Sequence, residues 1–453
     1  MLLKEVIEQL QYERVQGTLD RVVSGVAYDS RQVTEDGVFV AISGFTTDGH
    51  AYIHNAVQNG AKVIVLEKDA VIREDVTVLR VKDCRNALAL LAANFFRHPS
   101  EMLNLIGVTG TNGKTSITYF IKSIFAQAHR SIGIIGTIGT WIGDELRKNP
   151  NTTPEAPILQ QQFAEMTQAD IMNCVMEVSS HALNLDRVAY SRYNTAIFTN
   201  LTPDHLELHG NMEEYFAAKA KLFEMASDTH IINADDPYGR RLIEQVELRR
   251  GSASLLTYGV ENKADVYATD IEQNADNTIY TAHTSDGSFR VKVNIPGMFY
   301  VYNSLAAIAC AYSNGIDIQD IRDGIEKVEN IRGRMEVVYQ DHAHKVIVDF
   351  AHTEDSLEKA LLTIKPHTKG RLILVFGVYA APGALGLSKR RNMGKVAAKW
   401  ADLSVITSDN PKDQDPEAIL KDIAQAMEEE KGTFTTIVDR EEAIRYAVEQ
   451  CRE

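Results

Sequence analysis

Apolar positions along the chain repeat with two periods, and their alternation organises it. Short continuous apolar runs predict buried strands at Leu103–Val108, Ile171–Met176, Thr195–Phe198 and Ile231–Ile232. Between them, residues such as Ile117, Phe120, Ile121, Ile124, Phe125 and Ala128 recur at helical spacing on one face. The stretches Gly25–Arg31, Gly37–Gly44 and Ala61–Leu66 read as strands of an earlier unit, and Lys345–Asp349, Arg371–Phe376 and Leu403–Thr407 as strands of a later one. Strands alternating with helices predict α/β architecture with mostly parallel sheets. The 453 residues suit about three domains. We expect units at 1–98, 99–330 and 331–453, the central and C-terminal ones doubly wound, with Arg332-Gly-Arg-Met-Glu336 leading into the last.

One stretch carries chemistry by itself. Gly107-Val-Thr-Gly-Thr-Asn-Gly-Lys-Thr115 lies between a predicted strand and a predicted helix. Glycines there let successive backbone N–H groups turn toward phosphate oxygens, and the helix N-terminus adds its positive dipole end. Lys114 would reach the terminal phosphates, and the Thr115 hydroxyl would ligate Mg²⁺. Val108 stands where the usual phosphate-loop pattern has its first glycine, with Gly107 and Gly110 on either side. Further polar clusters end the central strands: Glu177-Val-Ser-Ser-His181, Thr199-Asn-Leu-Thr-Pro-Asp-His205 and Asn233-Ala-Asp-Asp236. An open α/β sheet builds its ligand crevice at such carboxyl ends. Glu177 suits a second Mg²⁺ ligand; His181 and His205 each fit a metal ligand, a phosphate contact or a structural histidine.

Composition narrows the classes. A net charge of −15 argues against a general binder of nucleic-acid polymers, so anionic ligands must be held by local cations and helix ends. The four scattered cysteines, Cys84, Cys174, Cys310 and Cys451, form no CxxC pair and read as reduced thiols. The N-terminal Leu3, Val6, Ile7, Leu10 pattern is amphipathic, not a signal sequence, and no apolar run is long enough to span a bilayer. A cytoplasmic protein without membrane insertion is expected.

Several motifs together resemble one family. Thr109-Gly-Thr-Asn-Gly-Lys-Thr115, Asn151-Thr-Thr-Pro154, Glu177-Val-Ser-Ser-His-Ala-Leu183, Asn200-Leu-Thr-Pro-Asp-His205, Tyr215-Phe-Ala-Ala-Lys219 and Asp349-Phe-Ala-His352 occur in the order found in the Mur ligases. These are ATP-dependent amide-forming enzymes of peptidoglycan synthesis. The resemblance runs from about Gly25 to the end and is strongest to members that add the third residue to UDP-MurNAc-L-Ala-D-Glu.

The resemblance implies a role for each motif. Tyr28, Ser30 and Phe45-Thr46-Thr47 would hold the uridine diphosphate end of the substrate, and Asn151, Thr152, Thr153, Ser179 and Arg187 its peptidyl end. Gly110, Thr111, Asn112, Gly113, Lys114, Thr115 and Ser116 would bind ATP phosphates, with Asn303 and Asp349 at adenine and ribose and Arg334 near the phosphates. Thr115, Glu177 and His205 would belong to the magnesium shells, joined by Lys219 carrying a CO₂-derived carbamate. Lys114, Lys219, Glu177 and His205 would be the catalytic set, and Asp409, Asn410 and Lys412 would face the incoming amino acid. The implied partners are UDP-MurNAc-dipeptide, ATP and an amino acid, acting on a monomer.

The chain departs from the family pattern at the amine site. Leu385-Gly386 stands where the family has an Arg-Asp pair before Lys389 and Met393-Gly394; that Arg normally grips the amino-acid carboxylate. Tyr300 replaces an expected Asn, and Lys412 stands where diaminopimelate-adding members have Arg. The sequence given ends before the family's last strand and Lys-Gly-His-Glu-like segment. Arg390, Arg391 and Lys412 are nearby cations that would substitute, the two arginines fitting a solvated helix start equally well. Weak binding of diaminopimelate or lysine is therefore expected, beside intact ATP and nucleotide-sugar sites. Two other readings are a Mur-like ligase of a specialised pathway using another amine, and a non-catalytic nucleotide-binding homologue.

Overall fold

The computed structural model describes residues 1–44, 47–249, 251–381 and 383–451. Four sheets account for its strands. The first has five strands between Glu13 and Arg80, of which Val26–Ala27, Val38–Val40, Val63–Leu66 and Thr77–Arg80 run parallel and Glu13–Gln16 closes one edge antiparallel. The expected strand at Gly25–Arg31 is shorter than its pattern suggests. The Asp29 side chain accepts the Arg31 N–H at 3.0 Å, so the chain turns into a 3₁₀ helix at Ser30–Gln32.

The central sheet has eleven strands. At its middle, Asn104–Thr109 lies between Asn173–Glu177 and Tyr193–Phe198, parallel to both. Ile132–Ile135 extends the parallel region on one side, and Ala226–Asn233 and Ser254–Gly259 on the other. Antiparallel strands finish both edges: Thr140–Ile142 and Glu145–Arg147 at one end, Thr278–Thr284 and Gly287–Val293 at the other. Strands Asn104–Thr109, Asn173–Glu177 and Tyr193–Phe198 are buried almost throughout because helices cover both faces. On one face the phosphate-loop helix, Lys114–Gln127, packs with Met298–Ser313 and Ile318–Glu326. On the other lie Ala156–Gln168 and Met212–Ala220.

After Ile331 the chain forms an antiparallel pair, Glu336–Gln340 with Lys345–Val348, and a separate parallel sheet of Ile373–Phe376, Leu403–Ile406 and Phe434–Thr436. Helices Glu354–Ile364, Gly383–Trp400 and Pro416–Glu429 cover one face of that parallel sheet, and Arg440–Gln450 the other. Arg334 and Asp355 of this last unit reach Thr115 and Asn112, next to the end of the Asn104–Thr109 strand.

Candidate active site

Gly110 and Gly113 give the phosphate loop its shape. Both hold positive φ, +143° and +92°. A Cβ at Gly110 would sit 1.8 Å from Thr199 Oγ1, and one at Gly113 2.4 Å from Asn303 Oδ1. The loop is stitched to the neighbouring strand end: Asn112 N–H donates to Asn200 Oδ1 at 3.0 Å, and Thr199 Oγ1 donates to the Asn112 carbonyl at 2.7 Å. Lys114 folds back over the loop, donating to the carbonyls of Gly110 and Thr111 at 2.9 and 2.8 Å. Burial lowers its pKa, against the attraction of Glu177.

Thr115 and Glu177 meet as the motif spacing implies. Thr115 Oγ1 donates to Glu177 Oε1 at 3.0 Å, and Thr137 donates to the same carboxylate from its N–H at 2.8 Å and its hydroxyl at 3.1 Å. Hydroxyl and carboxylate oxygens close together form a donor set suited to a hard cation such as Mg²⁺, which keeps much of its water. Among the described residues no group of three or more His, Cys, Asp or Glu side chains is placed to hold a metal ion, so an ion bound here would depend on phosphate and water oxygens beside these two side chains. Arg334 reaches across from the last unit to donate to Thr115 Oγ1 at 2.8 Å, and Asn112 donates to Asp355 at 3.1 Å. Asp349 is tied by the N–H groups of Met335 and Ala351, both at 2.8 Å, and burial raises its pKa. Asn303 is buried against Gly113 and Ser116 is buried in the first helical turn.

Lys219 is 1% exposed, and its ammonium donates to the Gly110 carbonyl at 2.8 Å while lying 4.6 Å from the Tyr215 ring centroid. Burial first, then the Lys114 charge, pushes its pKa far down. Such a lysine holds its neutral amine readily. Beside it, the His181 and His205 rings meet edge-on at 4.8 Å, and His209 stacks on Tyr215. Burial and neighbouring cations lower His181 and His209 to about 4.

The peptidyl-side residues also converge. Thr153 Oγ1 donates to the Glu177 carbonyl at 2.8 Å and accepts the Ser179 N–H at 3.0 Å. Thr152 and Thr137 hydroxyls lie 3.1 Å apart, and Arg187 bonds the Thr153 carbonyl while pairing with Glu155 at 2.8 Å. Asn151 is exposed next to them. Tyr28 lines a cavity of about 330 Å³ with Gln32, Phe95, Phe96, Pro157 and Gln161 at the seam between first and central units. Ser30 is buried in its 3₁₀ turn outside that lining, and Thr47 is exposed. Phe45 and Thr46 lie outside the described residues.

The amine-site cations resolve differently from expectation. Arg390 is buried against Asp422 at 3.1 Å and Gln414 at 3.0 Å, and Arg391 pairs with Glu429 at 2.6 Å. Both are held by acids of helix Pro416–Glu429 and its C-cap side, so neither stands free for a carboxylate. Leu385 points outward, 46% exposed. Lys412 has no ion pair among the described residues and sits beside Asp409 and Asn410 at a strand end. Sequence reading passed over two participants, Thr137 and Asp204. Thr137 carried no signal at all. Asp204 stood inside a quoted motif but was given no role, although three C-terminal side chains converge on it.

The chain matches the family models described as "Mur ligase family, catalytic domain" over residues 22–96, "Mur ligase middle domain" over 108–311 and "Mur ligase, glutamate ligase domain" over 333–453. It belongs to the Mur ligase family. A UDP-N-acetylmuramoyl-L-alanyl-D-glutamate–2,6-diaminopimelate ligase of Alkaliphilus metalliredigens (strain QYMF) is 42% identical, with 100% of this chain and 90% of the relative covered. The enzyme of the same name from Clostridioides difficile (strain 630) is 41% identical over 100% and 92%. A solved structure of a ligase of that name superimposes with a TM-score of 0.71 at 29% identity, covering 99% of this chain and 91% of that one.

Proposed function

We propose that this Mur ligase joins an amino acid to the D-Glu carboxylate of UDP-MurNAc-L-Ala-D-Glu in cytoplasmic peptidoglycan precursor synthesis, converting ATP to ADP and phosphate. The observation that carries this reading is the convergence of Lys114, Thr115, Glu177 and Lys219 on one phosphate loop, with Thr153, Ser179 and Arg187 adjoining through Glu177. The substrate carboxylate attacks the γ-phosphate and gives an acyl phosphate; the amine then attacks the carbonyl and releases phosphate. Two anions must approach, and Lys114 with Arg334 supplies positive charge at that point. Thr115, Glu177, His205 and carbamylated Lys219 would hold Mg²⁺, which screens phosphate charge when bound. Thr137 and Arg334 keep Glu177 and Thr115 aimed into the cleft. Asn303 and Asp349 would meet the nucleoside, Tyr28, Ser30 and Thr47 the uridine diphosphate, and Asn151, Thr152, Thr153, Ser179 and Arg187 the dipeptide. Asp409, Asn410 and Lys412 would receive the amino acid. We take the working species as a monomer, with units bounded near residues 98 and 330.

The test is ADP release from ATP, UDP-MurNAc-L-Ala-D-Glu and a panel of amines. Release that requires the dipeptide substrate and diaminopimelate or lysine supports the reading. Release only with an unrelated amine points to a specialised pathway, and no release with any amine points to a non-catalytic nucleotide binder.

A further inference from the structure

The segment after the Ile373–Phe376 strand places an aromatic ring where the two units meet. Gly377 can approach the Thr407–Asp409 backbone only because it lacks a side chain: a Cβ there would lie 2.4 Å from the Thr407 carbonyl oxygen. The Ala380 N–H then donates to the Asn410 carbonyl at 2.8 Å, tying this strand end to the Asp409–Lys412 loop. Tyr379 is held between those anchors, flanked by the buried Val378 and Ala380. The Lys389 ammonium lies 3.9 Å from its ring centroid, and the Lys412 ammonium 5.7 Å from the same centroid. The Tyr379 hydroxyl points to Asp204 Oδ1 at 3.5 Å, and Lys389 Nζ reaches that same oxygen at 3.3 Å.

These contacts form a chain across the unit boundary. Asp204 belongs to the central unit and its carboxylate is nearly inaccessible. His352 and Lys389 of the last unit both reach it, at 3.4 and 3.3 Å. The carboxylate fixes Lys389, Lys389 and the ring hold one another, and the ring gives Lys412 its resting place. Lys412 needs such a support. It is a flexible point charge on a backbone at φ +48°, without an ion pair among the described residues. The other cations of this region, Arg390 and Arg391, are committed to Asp422 and Glu429.

We propose that Tyr379 is a positioning residue for the amine substrate, its ring aiming Lys412 and Lys389 at the α-carboxylate of the incoming amino acid. This rests on the ligase reading above. The aromatic face does for an ammonium what a planar guanidinium does by its own geometry: it fixes the direction of the charge. The acids facing this group are Asp204 and Glu207 from the central unit and Asp409 from the neighbouring strand end.

Two measurements on the full chain test this. In the ADP-release assay, Tyr379→Leu should raise KM for the amino acid about tenfold and leave KM for ATP and for UDP-MurNAc-dipeptide unchanged. Tyr379→Phe should restore the amino-acid KM to within about threefold, since the ring remains. An unchanged amino-acid KM in Tyr379→Leu, or an equal rise in all three KM values, overturns the proposal. The second readout does not depend on activity. After reductive ¹³C-methylation, the methyl signals of Lys389 and Lys412, assigned with Lys389→Arg and Lys412→Arg, should be shifted upfield by the ring current. The shift should persist in Tyr379→Phe and vanish in Tyr379→Leu; ordinary lysine shifts in the parent chain overturn the placement whether or not the ligase reading stands. A parent chain with the ring-current shift but no amine-dependent ADP release overturns the proposed substrate role and the ligase reading together.

Discussion

Lys114 and Lys219 are two buried ammonium groups that share one carbonyl, that of Gly110, and they have different fates in the proposed reaction. Lys114 is the only side-chain cation the phosphate loop itself supplies, so Lys114→Ala should lower turnover by at least a hundredfold, about 3 kcal/mol of transition-state stabilisation. ATP turnover within a few-fold of the parent would contradict its place at the phosphates. Among the described residues Lys219 makes no ion pair with a carboxylate, and burial depresses its pKa, so its neutral amine is available to react with CO₂. A carbamate formed there would place an anion beside the phosphate loop. Lys219→Ala should be inactive and partly rescued by short carboxylates such as formate or acetate, and the parent enzyme should gain activity with bicarbonate. An active Lys219→Ala enzyme, indifferent to bicarbonate, would show that Lys219 is a structural lysine. Lys114 stood out by its place in the phosphate-loop pattern and Lys219 only by the family resemblance; Thr137 did not stand out, since its place beside Glu177 comes from the turn after the Ile132–Ile135 strand.

At the scale of elements, the phosphate-loop helix is set by close backbone contact as much as by its apolar face. Gly324 in helix Ile318–Glu326 lets that helix lie against Ile124: a Cβ at 324 would come 2.5 Å from the Ile124 Cα, and Ser123 Oγ donates to the Gly324 carbonyl at 2.6 Å. Helix propensity alone favours alanine over glycine by about 1 kcal/mol. Backbone cannot swing aside as a side chain can, so Gly324→Ala should instead destabilise the central unit by about 1–3 kcal/mol. Urea unfolding followed by Trp141 fluorescence in a Trp400→Phe background reads this directly, the chain's two tryptophans lying in different units. A stabilised variant would mean the helices are not in contact. The alternation of apolar runs and helical stripes made the central sheet readable, because helix cover on both faces favours continuous apolar runs over strict alternation. Gly25–Arg31 was not readable in the same way: a single Asp29 side-chain hydrogen bond ended the strand. The fates of Arg390 and Arg391 were equally hidden, since their acidic partners lie 32 and 38 residues further along on another helix.

For the whole molecule the decisive contacts run between the central and last units, through Arg334 to Thr115, Asn112 to Asp355, and Lys389 and His352 to Asp204. Asp204 is more buried than either of its partners, Lys389 and His352, and breaking a buried ion pair costs about 3–5 kcal/mol. Asp204→Asn should therefore loosen the last unit: small-angle scattering should show a larger radius of gyration, and kcat should fall while Lys114-dependent ATP binding persists. An unchanged scattering profile together with unchanged kcat would place the closure elsewhere. The split between units also explains why the sequence pointed to the phosphate site more surely than to the amine site. The phosphate site is built from strand ends of one sheet, whereas the amine site depends on how Tyr379, Lys389 and Lys412 meet Asp204 across a boundary. The central claim, that this cleft activates a carboxylate with ATP and passes it to an amine, is tested most directly by isotope transfer. UDP-MurNAc-L-Ala-D-Glu labelled with ¹⁸O in the reacting carboxylate is converted with ATP and the amino acid, and the released phosphate is analysed by mass spectrometry. One ¹⁸O per phosphate, matched to one amide product, is the predicted result; phosphate free of label would contradict the acyl-phosphate route and with it the assignment of the site.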